Sequence, residues 1–331
     1  MRHELAALAV ACALPIFTLS AACHPTESDP VNDADESQPL RVQRFTSGAS
    51  GFDTHSFFVD TGKEVVVFDA QFTPDLAKQA IAEIRAKTAS PIAYVVVTHP
   101  NPDKFNGVRA FQDIGARAVA SEQTAAAIPT VHAYKKYYFV NVAKLFTEQT
   151  YPQEARIDVT FRGDYVLPLA SGHTVRLHDL RSPGVTTTQT VAHVPAARAV
   201  FVGDLVHHQT HAWLEGGIVG GKAQPNLAAW KDALAELLPY GDVTVYGGRG
   251  ESAALSQAVA AQTQYLTELE ALVRSYVAAL GANAKGELSG ANAGQHYKRL
   301  AEQAAQKYPQ HALPYLIEYG VYGLVNQIAG L

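Results

Sequence analysis

Ten residues, Thr98-His99-Pro100-Asn101-Pro102-Asp103-Lys104-Phe105-Asn106-Gly107, gather an imidazole, a carboxylate, two amides and an ammonium, with two prolines and a closing glycine. Imidazole and carboxylate are metal ligands and proton carriers, whereas an ammonium has donors and no lone pair at neutral pH. A second carboxylate, Asp204, comes just before His207, His208 and His211, and a guanidinium, Arg249, lies in the run Gly247-Gly248-Arg249-Gly250. Histidines bunched in a loop serve more often as surface or hydrogen-bonded residues than as ligands.

Such groups act only when rigid elements hold them. Ser56–Val59 and Val65–Phe68, joined across Asp60-Thr61-Gly62-Lys63, read as a β-hairpin whose second arm is buried on both faces. Pro74–Lys87 reads as a helix, with proline at its start and Leu76, Ala80, Ile81 and Ile84 at helical spacing. Ile92–Val97 is a buried strand that delivers the His99 loop, and strand ends are where α/β proteins place their chemistry. A short helix after Gly107, a strand at Arg117–Ala120 and a helical stretch from Ser121 follow. The pattern then predicts strands near Ile157–Phe161, Thr174–Leu180, Thr190–Val194, Ala199–Val202 and Val243–Tyr246, with a helix near Leu227–Leu238. Helices fill 252–280, 294–308 and 313–328. Strands and helices alternate without the rhythm of a βαβ array, which favours a mixed α/β layered sandwich.

The 98–107 loop resembles the metal-binding loop of the metallo-β-lactamase superfamily, Thr-His-x-His-x-Asp-His-x-x-Gly. The resemblance continues upstream, where His55–Ala70 is similar to that family's opening hairpin ending in Asp69. Downstream, Pro183-Gly184-Val185-Thr186 sits where the family has Pro-Gly-His-Thr, Phe201-Val202-Gly203-Asp204 matches its bridging-aspartate strand, and Gly247-Gly248-Arg249-Gly250 sits where it has Pro-Gly-His-Gly. The match covers about residues 42 to 250 and implies a four-layer αββα sandwich. On this reading the chain divides into a signal segment (1–22), an acidic tether (23–40), the metallo-β-lactamase-like domain (41–250) and a helical C-terminal extension (251–331).

In the family, seven side chains hold two metal ions, usually zinc. Position by position, the resemblance retains His99, Asp103 and Asp204, and replaces the other four by Asn101, Lys104, Val185 and Arg249. An amide is a poor zinc ligand, valine is none, and two cations repel the ion. The expectation is a divergent, hydrolase-like protein acting on a small anionic or acyl substrate without the dinuclear zinc centre, with no cofactor required. In it Lys104 and Arg249 stand in for the metals and polarise an oxyanion. Asp103 or Asp204 acts as base, His99 or His211 moves protons, and Asn101, His211 and Tyr137 touch substrate. Two alternatives stay open: a ligand-binding pseudoenzyme, and a hydrolase with one zinc or other divalent ion on His99, Asp103, Asp204 and a nearby histidine.

Other signals are weaker. Gly216-Gly217-Ile218-Val219-Gly220-Gly221-Lys222 fits a phosphate-loop spacing, but Ala223 stands where a hydroxyl is needed, so it reads as a flexible loop. Tyr134, Lys135, Lys136, Tyr137 and Tyr138 form either a packed helix or a lid over an acidic or aromatic ligand. The 331 residues carry 26 Lys plus Arg against 31 Asp plus Glu, with no basic cluster, which argues against nucleic acid as a partner. Both cysteines, Cys12 and Cys23, lie in or beside an apolar N-terminal stretch that reads as an export signal, leaving the later chain without a disulfide or thiol. Leu19-Ser20-Ala21-Ala22-Cys23 resembles a bacterial lipobox, which implies a periplasmic protein attached to the membrane only by a lipid at Cys23. The expected partner is a small molecule. Oligomeric state is left open.

Overall fold

A computed structural model of the chain describes residues 39–331. The signal-like segment, the acylation candidate Cys23 and all but the last two residues of the tether lie outside the described residues.

Six strands build a first sheet in the order β1 (Val42–Thr46), β2 (His55–Asp60), β3 (Val65–Phe68), β4 (Ile92–Val96), β5 (Arg117–Ser121) and β6 (Val159–Phe161). The first three pair antiparallel and the rest parallel. A second sheet takes β7 (Asp164–Val166), β8 (Arg176–Asp179), β9 (Thr190–Val194) and β10 (Ala199–His208). After a small separate hairpin, β11 (Gly217–Val219) and β12 (Lys222–Gln224), it is completed by β13 (Thr244–Gly250) and β14 (Ala253–Ala254), in the order β14-β13-β10-β9-β8-β7.

Side-chain alternation divides each strand between two cores. On β3, Val66 and Phe68 join the core between the sheets, while Val65 and Val67 join the core under the helices of the first sheet. On β10, Phe201 turns inward and Val200 and Val202 turn outward. Phe68 and Phe201 stack across the sheets with ring centroids 3.9 Å apart. Helices cover both outer faces, so the architecture is the four-layer αββα sandwich that the sequence implies.

On the first face lie α1 (Pro74–Lys87), α2 (Pro102–Phe105), α3 (Val108–Gln112) and α4 (Glu122–Tyr137). Thr73 caps α1 by accepting from the Leu76 amide, Pro74 occupies its first turn, and Leu76, Ala77, Ala80, Ile81 and Ile84 form its buried stripe. On the second face, α5 (Leu227–Ala235) and α6 (Leu255–Ala279) share one apolar core with α7 (Ala284–Ser289), α8 (Ala293–Lys307), α9 (Tyr315–Gly320) and α10 (Tyr322–Ala329).

Three of the expected elements take another form. The strand expected at Ala199–Val202 runs on to His208, because β13 pairs parallel with it as far as His207↔Arg249 and His208↔Gly250. His207 and His208 therefore sit on a buried strand, not in a loop. The presumed flexible loop at 216–222 is the β11–β12 hairpin, whose turn residues Gly220 and Gly221 both have positive φ (58° and 74°), the geometry of a tight two-residue turn. The tail helix at 313–328 is two helices, α9 ending at Gly320, a poor helix former.

Candidate functional site: a closed ring of charge in the cleft

The C-terminal ends of β4, β10 and β13 bring the candidate residues together. Asp103 and Lys104 sit on α2, a single turn opened by Pro102; Asp204 is on β10 and Arg249 on β13. Lys104 Nζ lies 2.8 Å from Asp103 Oδ2 and 2.8 Å from Asp204 Oδ1. Arg249 closes the ring from the other side, Nη2 to Asp103 Oδ2 at 2.9 Å and Nη1 to Asp204 Oδ2 at 2.6 Å. All four side chains are buried. Two positive charges thus face two negative ones with net charge zero.

Neighbours fix the ring. Arg249 Nε donates to the Phe52 carbonyl at 2.6 Å and Nη2 to Thr54 Oγ1 at 2.9 Å, while Thr54 Oγ1 donates to Asp103 Oδ2 at 2.9 Å. Gly248 is required by space: a Cβ there would lie 2.1 Å from Asp204 Oδ1 and 2.7 Å from Lys104 Nζ. Phe52 and Asp53 both adopt left-handed backbone (φ 58° and 52°), and Tyr315 of α9 donates to Asp53 Oδ2 at 2.7 Å, bracing that turn. Thr54, Phe52 and Tyr315 were not marked as site residues by the sequence. None belongs to a motif, and Tyr315 is 262 positions from its partner.

The charges set the protonation states. Burial alone would raise the Asp103 carboxyl, but Lys104 and then Arg249 overcome it and hold it down at about 2. Asp204 is likewise held well below the usual carboxylate range, with Arg249 the larger influence against burial. Burial would lower the Lys104 ammonium, yet Asp103 and Asp204 carry it above its ordinary value. His99 is fully buried, and burial pushes it down to about 4 despite the opposing charge of Asp204. Its Nδ1 is 3.0 Å from Thr98 Oγ1, which also contacts both oxygens of Asp69, while its Nε2 lies 3.9 Å from Asp204 Oδ2 without a hydrogen-bond partner among the described residues. Burial raises Asp69 to about 7.

The other sequence candidates are placed as follows. Asn101 lines the cavity of about 30 Å3 beside the ring, together with Phe52, Phe72, Pro102, Asp103, Lys135, Phe139, Asp204, Trp213 and Arg249. Val185 is packed in the core of the second sheet. His211 is buried against Tyr265 and His311, its Nδ1 2.9 Å from the Tyr265 hydroxyl, and is not among the cavity-lining residues. Tyr137 is 66% exposed and also stands off the cavity. Lys135, two residues before it, lines it instead.

The donor set does not fit the zinc pair that the resemblance implies. Both carboxylates already accept from cations, and the Lys104 ammonium occupies the gap between them. Among the described residues no group of three or more His, Cys, Asp or Glu is arranged to hold an ion.

Comparison with known proteins bears on the fold. A metallo-beta-lactamase from Pontibacter korlensis superposes with a TM-score of 0.51 at 21% identity, over 69% of this chain and 94% of that one. TMB-1 gives 0.50 at 16%, over 70% and 98%. The metallo-beta-lactamase FIM-1 from Pseudomonas aeruginosa, in its mono-zinc form, gives 0.50 at 18%, over 69% and 90%. At such identities the likeness shows the shared sandwich alone. No curated protein matches the chain by sequence. The profile of the metallo-beta-lactamase superfamily matches residues 49–249, more than half of the chain and the whole span from the first site loop to Arg249, and the chain belongs to that superfamily.

Proposed function

We propose that this member of a hydrolase superfamily works without the dinuclear zinc centre, as a protein that binds a small acyl compound in the old metal cleft. Membership itself supports a hydrolase-like ancestry and cleft. The observation that carries the rest is the closed ring, in which Lys104 Nζ contacts both retained carboxylates at 2.8 Å and Arg249 contacts both again.

That ring spends the groups that hydrolysis would need. A general base works best with a pKa near the working pH, and a carboxylate held at about 2 is a weak one. Oxyanion stabilisation needs donors free to meet developing charge, whereas those of Arg249 are engaged by Asp103, Asp204, Thr54 and Phe52, and Lys104 is held between the two carboxylates and does not line the cavity. The ring also has no net charge, so it offers no general attraction to an anion, and of the two substrate classes read from the sequence the acyl one has more support. Phe52, Phe72, Phe139 and Trp213 border the cavity, so the surface that an acyl compound would meet at the cleft is mostly apolar.

Two measurements test this. Metal analysis of protein purified without chelator should find far less than one zinc per chain; near-stoichiometric zinc that survives dialysis overturns the metal-independent reading. A screen of ester, lactone, thioester and phosphoester substrates should show binding without turnover. Turnover that chelator leaves intact and Asn101→Trp abolishes would replace binding with metal-independent hydrolysis. We extend the proposal to location, with Cys23 acylated and the domain held at the periplasmic membrane surface. A Cys23→Ser variant should leave the membrane fraction.

A further inference from the structure

Lys135 of α4 is the cavity-lining cation that the ring does not use. Its buried ammonium bonds to Glu215 and lies 5.2 Å from the centre of the Trp213 ring. Glu215 also accepts from Trp213 Nε1 at 2.9 Å and from the Tyr322 hydroxyl of α10, so the carboxylate is fixed and Lys135 is aimed. An ammonium carries three donors. Glu215 is its hydrogen-bond acceptor among the described residues, which leaves donors for a ligand.

The cavity's size says how much of a ligand enters. About 30 Å3 admits one or two water-sized groups, hence an end group and no more. The body must lie outside, and one wall is built for it. Phe139 lines the cavity within the π-helical turn Tyr138–Val142, and along the same segment Tyr137, Val142 and Leu145 are 66%, 59% and 60% exposed. Three of the eight large hydrophobic side chains exposed among the described residues fall in these nine positions, an exposed apolar run continuous in sequence with the cavity wall at Phe139.

We infer that the ligand is an uncharged amphiphile with a carbonyl end group, whose oxygen accepts from Lys135 Nζ in the cavity while its aliphatic body runs over Phe139 onto Val142 and Leu145. It is uncharged because the Lys135–Glu215 pair, like the ring, is already neutral. The inference rests on the ligand-binding reading of the cleft and names its substrate class.

Titration calorimetry of the full chain with acetyl-, hexanoyl- and decanoyl-glycinamide tests it. Affinity for the wild type should rise severalfold from hexanoyl to decanoyl. Lys135→Met should weaken decanoyl-glycinamide by about ten- to hundredfold, the loss of a hydrogen bond to a charged group, and Lys136→Met should not. Because Lys135→Met strands Glu215, the double variant Lys135→Met/Glu215→Gln, which leaves no charge unpaired, should show the same loss. Leu145→Glu, at an exposed position, should flatten the dependence on chain length and leave acetyl-glycinamide unchanged. If the wild type binds the series and both Lys135 variants bind equally well, or chain length has no effect, this inference is overturned and the binding reading stands. If the wild type binds none of the three, both fall.

Discussion

Two buried charge assemblies border one cavity, and they are satisfied in different ways. In the ring of Asp103, Lys104, Asp204 and Arg249, each carboxylate meets both cations, and Thr54 and Phe52 take further guanidinium donors. At Lys135–Glu215 the carboxylate is saturated by Lys135, Trp213 and Tyr322, while the ammonium stands over the Trp213 ring with Glu215 as its hydrogen-bond acceptor among the described residues. The first assembly holds walls together. The second presents a donor. On the proposed binding reading, the donor offered to a ligand lies on α4 and not at the positions that match the family's metal ligands.

The contrast can be broken most sharply by returning imidazoles. Asn101→His, Lys104→His and Arg249→His together remove both cations and add three ligands beside His99, Asp103 and Asp204, so zinc should bind near-stoichiometrically by metal analysis. Wild type that took up as much zinc would show that the ring opens freely. Next in size, Asp204→Ala leaves Lys104 and Arg249 facing one carboxylate and should cost about 3–5 kcal/mol in urea unfolding, whereas Lys135→Met/Glu215→Gln should cost no more than about 1 kcal/mol because it removes both charges. Equal losses would erase the distinction between the assemblies.

Acid should act through the imidazoles before it reaches the ring. Burial lowers His55, His99 and His211 to about 4 and His207 to about 3. These histidines are neutral when folded and protonate near 6.5 when unfolded, so their contribution is complete above that pH and is lost as pH falls from 6.5 toward 4. Asp69, raised to about 7 by burial, has the opposite sign: its contribution is present below the unfolded carboxyl value and fades as pH rises through 7. Four imidazoles outweigh one carboxyl, so unfolding midpoints should fall between pH 6.5 and 4.5, with Asp103 protecting the ring until about 2. A flat profile there would mean that water reaches these histidines. Also at the small end is Tyr315→Phe, which removes one hydrogen bond to Asp53 and should cost about 1 kcal/mol. A loss as large as that of Asp204→Ala would place Tyr315 in the ring's own energetics.

Much of this was legible because it rests on local pattern. The runs Val65–Phe68 and Ile92–Val97 read as buried strands, and Pro74 with the apolar spacing behind it announced α1. The loop 98–107 and the positions of Asp204 and Arg249 could be read from motif order alone. What stayed hidden depends on non-local contact. The extension of β10 through His208 needs β13 beside it, and the role of Lys135 needs Glu215, 80 positions on. Phe52 and Asp53 take left-handed backbone without being glycine, so no residue type signalled the turn that receives Arg249. The histidine cluster reads as surface or hydrogen-bonded residues of a loop; His207 instead lies on a buried strand, and His211 is enclosed with its Nδ1 beside the Tyr265 hydroxyl.

The hydrogen bond from Tyr315 to Asp53 joins the chain's last fifth to its first. Long-range closure of this kind is slow and comes late in folding. Beyond Tyr315, Ile317, Val321, Leu324 and Val325 are buried in the core of the second face, so shortened chains ending before residue 315 should lose core packing together with a defined entrance.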